Sequence, residues 1–212
     1  MSDERGLRLR IVQASRRLAG LGLNSGRSGN LSVRVDGGFI VTPSGAAYET
    51  LHPDDLVYLT SSGDYGGGQA RPSSEWRIHR DVYAHRPDAH AVVHTHSPFA
   101  TTLACVGRKI PPFHYEVAFA GGPDIRCAPY ATFGTQELSD HAMAALDGRK
   151  ACLLANHGVL ALGDSLEGAL GLAEKVENLA RVYWQALQVG EPVLLDEVEM
   201  ARVVEKFLTY GK

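Results

Sequence analysis

Hydrophobic residues recur along the chain with two spacings, one typical of helices and one typical of strands. Over residues 3–19 they return every three or four positions, which predicts a first helix. Over residues 31–35 they alternate with polar residues, which predicts a half-buried strand. The pair Gly37-Gly38 then predicts a turn into a second strand at residues 39–41.

The rest of the chain continues both patterns. Further strands are predicted over residues 56–59, 91–96, 125–128 and 151–155. Helices are predicted from Ser74 to about His85, from Thr135 to Gly148, from Asp164 to about Val189, and from Asp196 onward. Glu167 and Glu199 complete capping-box patterns in the last two. Because there is no repeat or linker, we expect one α/β domain over residues 1–212, with helices covering a sheet.

Composition narrows the classes of partner. The formal net charge is −3, 21% of the residues are charged, and no basic stripe suits nucleic acid. No apolar run approaches the ~20 residues that span a bilayer, and the first residues lack the apolar segment of a signal peptide. Cys105, Cys127 and Cys152 are odd in number and widely spaced, so we expect buried, reduced thiols. These features predict a cytoplasmic protein that binds neither nucleic acid nor membrane.

The clearest chemical signal is His94-Thr95-His96, at the end of the predicted strand 91–96. Residues two apart on a strand point to the same face, roughly 7 Å apart at Cα. Two such imidazoles can share one ion at ~2.0–2.1 Å per bond. His90 has the same parity but lies about 13 Å from His94 along an extended strand, which makes it a poor ligand. The pair alone also fits surface or core histidines.

A third ligand has to come from elsewhere, and His157 is the best candidate. It follows the apolar strand 151–155 within Asn156-His157-Gly158, where a tight turn would expose the imidazole. Three histidines with one open position are the catalytic pattern for zinc. The other histidines fit structural or solvated roles better. These are His52, His79, His85, His114 and His141.

Three segments are suited to an anion. They are the glycine-bracketed turn 26–30, the turn 42–45 after a strand, and Ser73-Ser74 where a helix begins. Backbone N–H groups, hydroxyls and a helix N-terminus favour phosphate, although each segment is also an ordinary turn or cap. The adjacent Glu75 can serve as a general base if it lies near the metal, or it can complement the helix dipole.

Together these segments resemble the class II aldolase family, most closely its members that act on L-fuculose 1-phosphate. The similarity covers nearly the whole chain and every candidate site segment. It is carried by residues 21–24, 29–30, 32–34, 42–45, 72–77, 86–89, 91–94, 96, 114–115, 128–135, 157–158 and 205–211. The segment 122–127 departs from the pattern of the fuculose enzymes, which leaves the sugar open.

The resemblance implies a central, mainly antiparallel sheet between helix layers and a homotetramer with active sites between subunits. It implies one Zn²⁺ per subunit, held by His94, His96 and His157, with Glu75 at the metal. The implied phosphate-binding residues are Asn30, Ser44, Gly45, Ser73 and Ser74. Tyr115 would act from a neighbouring subunit, and Phe133 and Tyr210 would border the aldehyde side.

The implied reaction cleaves a ketose 1-phosphate, such as L-fuculose 1-phosphate, into dihydroxyacetone phosphate and an aldehyde such as lactaldehyde. Tyr115 would take the proton of the C4 hydroxyl, and Glu75 would protonate the carbon that becomes negative. Alternatives in the superfamily are 5-deoxyribulose-1-phosphate aldolase, L-ribulose-5-phosphate 4-epimerase and methylthioribulose-phosphate dehydratase. The epimerase carries Asp where this chain has Glu75, which argues against it. Adducin head domains, which are interaction modules without the metal, form a non-enzyme alternative that the intact histidines disfavour.

Overall fold

A computed structural model describes residues 2–24, 26–68 and 70–209 of the chain. Its helices are α1 Ser2–Gly20, α2 Trp76–His85, α3 Pro98–Cys105, α4 Gln136–Ala145, α5 Leu166–Val189 and α6 Glu197–Thr209. Its strands are β1 Asn30–Val35, β2 Gly38–Val41, β3 Val57–Thr60, β4 Ala91–Thr95, β5 Cys127–Ala128, β6 Ala151–Leu154 and β7 Gly158–Gly163. Pro53–Asp55 and Tyr115–Ala120 form short 3₁₀ helices.

The strands form one seven-stranded sheet in the order β3-β2-β1-β4-β7-β6-β5. All neighbours pair antiparallel except β5 and β6, which are parallel. The register places Asn30 of β1 opposite His94 of β4, and Thr95 of β4 opposite Val159 of β7. The predicted single α/β domain with a mainly antiparallel sheet is confirmed.

Helices cover both faces of the sheet because the central strands are apolar on both faces. In β4, Val93 packs in the cluster formed with α1, α3 and α5, whereas Val92 packs in the cluster formed with α2 and α4. Both side chains are fully buried. Burial of one such side chain contributes roughly 1.5–3 kcal/mol, so the strand that ends at the histidine pair is anchored from two sides.

Several element boundaries differ from the sequence prediction. The N-cap of α2 is Glu75 rather than Ser74, and its side chain makes no capping bond. The cap of α5 is Ser165 rather than Asp164, because the Ser165 hydroxyl accepts a hydrogen bond from the Gly168 N–H at 3.1 Å. The Thr135 cap of α4 is confirmed, and its hydroxyl accepts from the Leu138 N–H at 3.2 Å.

The prediction that all three cysteines are buried is wrong for Cys105. This residue is exposed at the end of α3, Cys127 is half-buried and Cys152 is buried, and all three are free thiols.

The strand predicted over residues 125–128 is shorter than expected. Only Cys127–Ala128 pairs as a strand, while Ile125 forms an isolated bridge with Ile110. Within the described ranges, no helix is both long enough and apolar enough to cross a membrane.

Candidate metal centre and active site

Three histidines from two segments meet at one end of the central strands of the sheet. His94 lies within β4 and His96 directly follows it, while His157 lies in the turn between β6 and β7. Because β4 pairs with β7, this turn comes to lie beside the end of β4. The ring centroids are 4.8–4.9 Å apart, and the candidate ligand atoms all lie within 4.8 Å of one another.

The hydrogen bonds of His94 aim a nitrogen lone pair at the centre of this group. Its Nδ1 lies 2.8 Å from the Val159 carbonyl oxygen, which can only accept, so Nδ1 carries the hydrogen. In the neutral ring, Nε2 is then unprotonated. This Nε2 lies 2.9 Å from Nε2 of His96. A tetrahedral zinc ion with bonds of 2.0–2.1 Å separates its nitrogen ligands by about 3.3 Å, so the pair is close to the geometry of shared coordination.

Glu75 lies against the same histidines. Its Oε2 is 3.1 Å from His94 Nε2 and its Oε1 is 3.2 Å from His157 Nε2, with 6% of the residue exposed. Although Oε1 is buried, it has no hydrogen-bond partner. A cation among the three imidazoles would compensate this orphaned oxygen. The donor set of three imidazoles and one carboxylate therefore fits a divalent metal.

The electrostatics of the group are those of a cation site. Burial, followed by the charge of His94, lowers the pKa of His96 and of His157 to about 4, which keeps both rings neutral. For His94, burial opposes protonation, but the Glu75 carboxylate overrides it and raises the pKa. Burial would raise the pKa of Glu75, but His94, His157 and the Asn30 amide together hold it well below its usual value. These shifts favour an ionised Glu75 carboxylate beside a positive charge at the centre of the group, and a metal ion would supply that charge with His94 neutral.

The turn that carries His157 has an unusual backbone. Asn156 has φ +54°, and in the part of the chain that the structure describes it is the one non-glycine residue with positive φ. Asparagine tolerates this left-handed conformation better than most residues do. The turn is fixed by the Asn156 N–H, which donates to the Ala104 carbonyl at 3.1 Å, and by the His157 N–H, which donates to Leu154 at 3.1 Å. Gly158 follows, packed against the Thr95 carbonyl.

Asn24 lies at the site but was not among the predicted site residues. Its Oδ1 accepts a hydrogen bond from the His96 N–H at 2.8 Å, and the residue is buried. Gly29 has φ +78° and lies so close to Asn24 that a β-carbon there would overlap the amide. Asn24 therefore joins the glycine turn 26–30 to the group of three histidines.

His79 is the second residue that sequence reasoning missed. It is fully buried on α2, with Nε2 2.6 Å from Asn30 Oδ1. Asn30 Nδ2 in turn donates to Glu75 Oε2 at 2.8 Å. A signal for this contact was present in the spacing, because Glu75 and His79 are four apart on a helix and so share one face.

Two of the predicted anion-binding segments, the turn 42–45 and Ser73-Ser74, lie side by side. An isolated β-bridge between Pro43 and Pro72 joins them. The Ser44 N–H donates to the Arg71 carbonyl at 2.9 Å, and the Ser73 N–H donates to the Thr42 carbonyl at 3.1 Å. A cavity of about 340 Å³ opens between these segments and the histidines. Its lining includes Arg27, Ser28, Gly29, Asn30, Ser44, Gly45, Ser73, Ser74, Glu75, His96, Tyr130, Phe133, Asn156 and His157.

One predicted residue, Tyr115, is not brought to this cavity. Tyr115 is half-exposed at the start of a 3₁₀ helix and stacks on His114 and on Phe207, with ring centroids 4.9 and 6.1 Å away. It is absent from the cavity lining. Tyr210 lies outside the described residues. Phe133, the other aromatic residue predicted for the aldehyde side, does line the cavity and is 65% exposed.

A family model described as Class II Aldolase and Adducin N-terminal domain matches residues 9–184. The chain belongs to the class II aldolase family. This aldolase is 57% identical over 205 residues to a 5-methylthioribulose-1-phosphate/5-deoxyribulose-1-phosphate aldolase of Rhodospirillum rubrum, covering 97% of this chain and 92% of the relative. It is 48% identical over 202 residues to L-fuculose phosphate aldolase of Escherichia coli K12, covering 95% of this chain and 94% of that relative.

The structural comparison agrees. A solved structure of L-fuculose 1-phosphate aldolase superposes on the class II aldolase described here with a TM-score of 0.92 at 39% identity, covering 95% of each chain. The predicted resemblance and fold are therefore confirmed, and so is the enzyme class, a metal-dependent aldehyde-lyase. The comparisons leave two candidate substrate groups, since the relatives' names differ in the sugar.

Proposed function

We infer that this class II aldolase cleaves 5-methylthioribulose 1-phosphate or 5-deoxyribulose 1-phosphate to dihydroxyacetone phosphate and a short aldehyde. One observation carries this proposal. The same cavity is lined by anion-binding turns, by Glu75 with His96 and His157, and by the exposed aromatic rings of Tyr130 and Phe133. These are the groups needed for a phosphate, for a carbon that becomes negative, and for an apolar tail.

The phosphate is assigned to the two serine-containing segments. The hydroxyls of Ser44 and Ser74 have no hydrogen-bond partner within the described part of the chain, and Gly45 holds φ +66° with open space above it. Ser73 and the backbone before α2 add further donors at a helix N-terminus. Asn30 also lines the cavity, but its side chain is already bonded to Glu75 and His79, so it has one Nδ2 hydrogen and its backbone to offer.

Arg27 supplies the charge that hydroxyls lack. Among the described residues that line the cavity, it is the one Lys or Arg side chain. A guanidinium is permanently charged and matches phosphate oxygens with paired donors. We therefore assign to Arg27 the electrostatic attraction of the phosphate dianion, with the serines and glycines setting its position.

The metal is assigned as one Zn²⁺ per subunit on His94, His96 and His157, because three neutral imidazoles with an open position suit catalytic zinc. Glu75 can complete the ligand set before substrate binds, since its carboxylate lies within 3.2 Å of two of these rings. When bound, the cation supplies Lewis-acid stabilisation of the negative charge that carbon–carbon cleavage develops.

Proton transfer is assigned to two residues. In the cleavage direction Tyr115 of a neighbouring subunit, as its phenolate, accepts the proton of the C4 hydroxyl while the bond between C3 and C4 breaks. Glu75, in its protonated form, gives its proton to C3 of the dihydroxyacetone phosphate fragment, and it removes the same proton in the synthesis direction. Proton exchange with solvent returns both residues to these forms, and the exposed ring of Tyr115 outside the cavity of its own chain supports its role. We accordingly propose a homotetramer, whose mass in light scattering would be four times the 22.9 kDa of the chain.

The aldehyde tail separates the two substrate candidates. Tyr130 and Phe133 are 58% and 65% exposed, so an apolar tail would cover ring surface that otherwise meets water. A thioether next to an aromatic ring contributes about 0.3–1.5 kcal/mol, which favours the 5-methylthio sugar. The higher identity to the Rhodospirillum rubrum relative supports the same choice. L-fuculose 1-phosphate is the second candidate, supported by the Escherichia coli relative and the structural match.

The test is a substrate panel with the zinc-loaded protein. It contains 5-methylthioribulose 1-phosphate, 5-deoxyribulose 1-phosphate, L-fuculose 1-phosphate and L-ribulose 5-phosphate, with dihydroxyacetone phosphate measured by coupled reduction. We expect kcat/KM for the methylthio sugar to exceed that for the fuculose sugar by about tenfold, equivalent to ~1.4 kcal/mol. The reverse order would select the second candidate. Epimer or dehydrated product without dihydroxyacetone phosphate would reject the aldolase proposal.

A further inference from the structure

A fully connected chain of buried polar side chains runs behind Glu75, away from the cavity. Tyr83 Oη lies 2.7 Å from Ser32 Oγ, and Ser32 Oγ lies 2.6 Å from His79 Nδ1. From His79 Nε2 the chain continues through Asn30 to the carboxylate, as described above. None of its five members is more than 8% exposed. Two elements form this chain of side chains. Asn30 and Ser32 share one face of β1, while Glu75, His79 and Tyr83 recur every four residues from the N-cap of α2 along the helix.

Chemistry fixes the direction of every bond in this chain. An ionised carboxylate can only accept, so the Asn30 amide directs Nδ2 to Glu75 and Oδ1 to His79. Oδ1 can only accept as well, so His79 Nε2 carries the hydrogen and Nδ1 accepts from the Ser32 hydroxyl. Tyr83 must then donate to Ser32. Burial lowers the pKa of His79 to about 3, so a neutral ring in this single tautomer persists at neutral pH.

The consequence for Glu75 is an asymmetry between its two oxygens. Oε2 is held by Asn30 at 2.8 Å, whereas Oε1 has no hydrogen-bond partner and lies beside His157, a residue of the cavity wall. An anchored carboxylate with one free oxygen is suited to proton transfer at that oxygen. If the amide rotated by 180°, Asn30 Oδ1 would face the carboxylate and repel it.

We propose that His79 is a positioning residue, which by donating from Nε2 locks the Asn30 amide and so holds the Glu75 carboxylate with Oε1 free for proton transfer. This proposal rests on the role of Glu75 in the proposed function. His79 contacts neither the cavity nor the metal-binding histidines, so it acts through Asn30. Its removal should therefore lower kcat and leave KM and metal binding nearly unchanged.

A matched pair of substitutions separates donation from packing. His79→Gln retains an amide N–H near the position of Nε2, whereas His79→Met has similar length and no donor. The assay is exchange of the dihydroxyacetone phosphate C3 proton with deuterated solvent, which isolates the Glu75 step from aldehyde chemistry. We expect His79→Met to lower the exchange kcat by about 10–100-fold, a part of the 10²–10⁴ that such a base contributes, and His79→Gln to stay within about threefold of wild type.

Four further measurements exclude a merely structural effect. Zinc content and KM should change by less than about twofold in both variants. Crystal structures should show Glu75 Oε2 within hydrogen-bond distance of Asn30 in His79→Gln and rotated away in His79→Met. In an Asn30→Ala background, which cuts the chain of bonds, the two His79 variants should differ by less than about threefold.

Equal exchange rates in the two variants, or an unaltered Glu75 in the His79→Met structure, would overturn the proposal. So would a difference that persists undiminished in the Asn30→Ala background. If the two variants do not fold, Asn30→Ala alone tests the same idea by removing the amide that links His79 to Glu75, and an unchanged exchange rate would then reject it. A wild-type protein that exchanges no proton would reject the proposed function instead, while the two crystal structures would still decide the orientation of Glu75.

Discussion

Replacing Gly158 by alanine would press a methyl group against the metal centre. A β-carbon at this position would overlap the Thr95 carbonyl oxygen and lie 3.1 Å from His96 Cδ2 and 3.3 Å from His94 Cε1. Gly158 does not have a positive φ, so the backbone itself tolerates alanine and the whole effect comes from these contacts. Because Thr95 belongs to a strand that pairs with β7, its carbonyl cannot move independently of the sheet.

The displacement can be compared with the tolerance of a metal site. Carbon contacts are most favourable at about 3.5–4.0 Å, so relieving the overlap requires β4 and β7 to separate by on the order of 1 Å at this end. Metal–ligand distances tolerate about 0.2 Å. Changes to groups that merely support ligands weaken binding about 10–100-fold, so a shift of the ligands themselves should weaken zinc affinity by more than about 100-fold. Overpacking should also lower the free energy of unfolding by about 1–3 kcal/mol.

The assay is zinc affinity by competition with a chromophoric chelator, together with urea unfolding of the metal-free protein. Gly171→Ala is the matched control, because a β-carbon there meets nothing within 4 Å and the residue lies inside α5. It should leave zinc affinity unchanged and stabilise the fold by about 0.5–1 kcal/mol. A folded Gly158→Ala protein that binds zinc within about threefold of wild type would refute this reasoning.

Four further outcomes are expected. Glu75→Gln should keep one zinc per chain but lose about 10²–10⁴ in kcat for dihydroxyacetone phosphate release, and full activity would remove Glu75 from the mechanism. Arg27→Ala should raise KM for ketose 1-phosphates about tenfold, and by a smaller factor at high salt, whereas the control Arg5→Ala on exposed α1 should leave KM unchanged. An equal change in KM in both variants would reject the phosphate role of Arg27. Between about pH 6 and pH 3, His79 is protonated in the unfolded chain but not in the folded chain, where its pKa is about 3. As the pH falls through this range, the free energy of unfolding of the wild type should therefore decrease by about 1.4 kcal/mol per pH unit relative to that of His79→Gln. Urea unfolding of the two proteins with the same pH dependence would contradict this. Chelation of zinc present at about 100 times its dissociation constant should lower the free energy of unfolding by about 2.7 kcal/mol, and an unchanged melting temperature would argue against a structural contribution of the metal.

The candidate site was predictable where the relevant information was local. His94 and His96 follow from strand parity, since residues two apart share a face whatever the fold around them. The glycine and serine turns were recognisable for the same reason, because turn chemistry depends on neighbouring residues. His157 was predicted as the third ligand only by its place after an apolar strand, and the pairing of β4 with β7 is what brings it to the other two.

The errors arose where a boundary or a contact depends on the rest of the fold. Ser74 is an ordinary helix cap in isolation, yet the chain at Ser73 bonds to the turn 42–45 and the helix begins after Glu75. His79 was predicted to be structural or solvated rather than a ligand, and its burial agrees with a structural place, but its partners could not be predicted because nothing adjacent to it in sequence bonds to its ring. Its partner Asn30 is 49 residues away, and only the packing of α2 on β1 brings the two within 2.6 Å.

The sequence by itself determined most strands and helices, although not α3 or β7, together with the histidine pair and the anion-binding turns, because these depend on the periodicity and turn preferences of neighbouring residues. Only the tertiary structure decided that Glu75 is buried against His94 and His157, that Asn24 holds His96, and that a buried chain of hydrogen bonds supports the carboxylate. Sheet pairing and helix packing join side chains that are far apart in sequence. Apart from the four-residue spacing of Glu75 and His79, these contacts therefore have no counterpart in the local sequence.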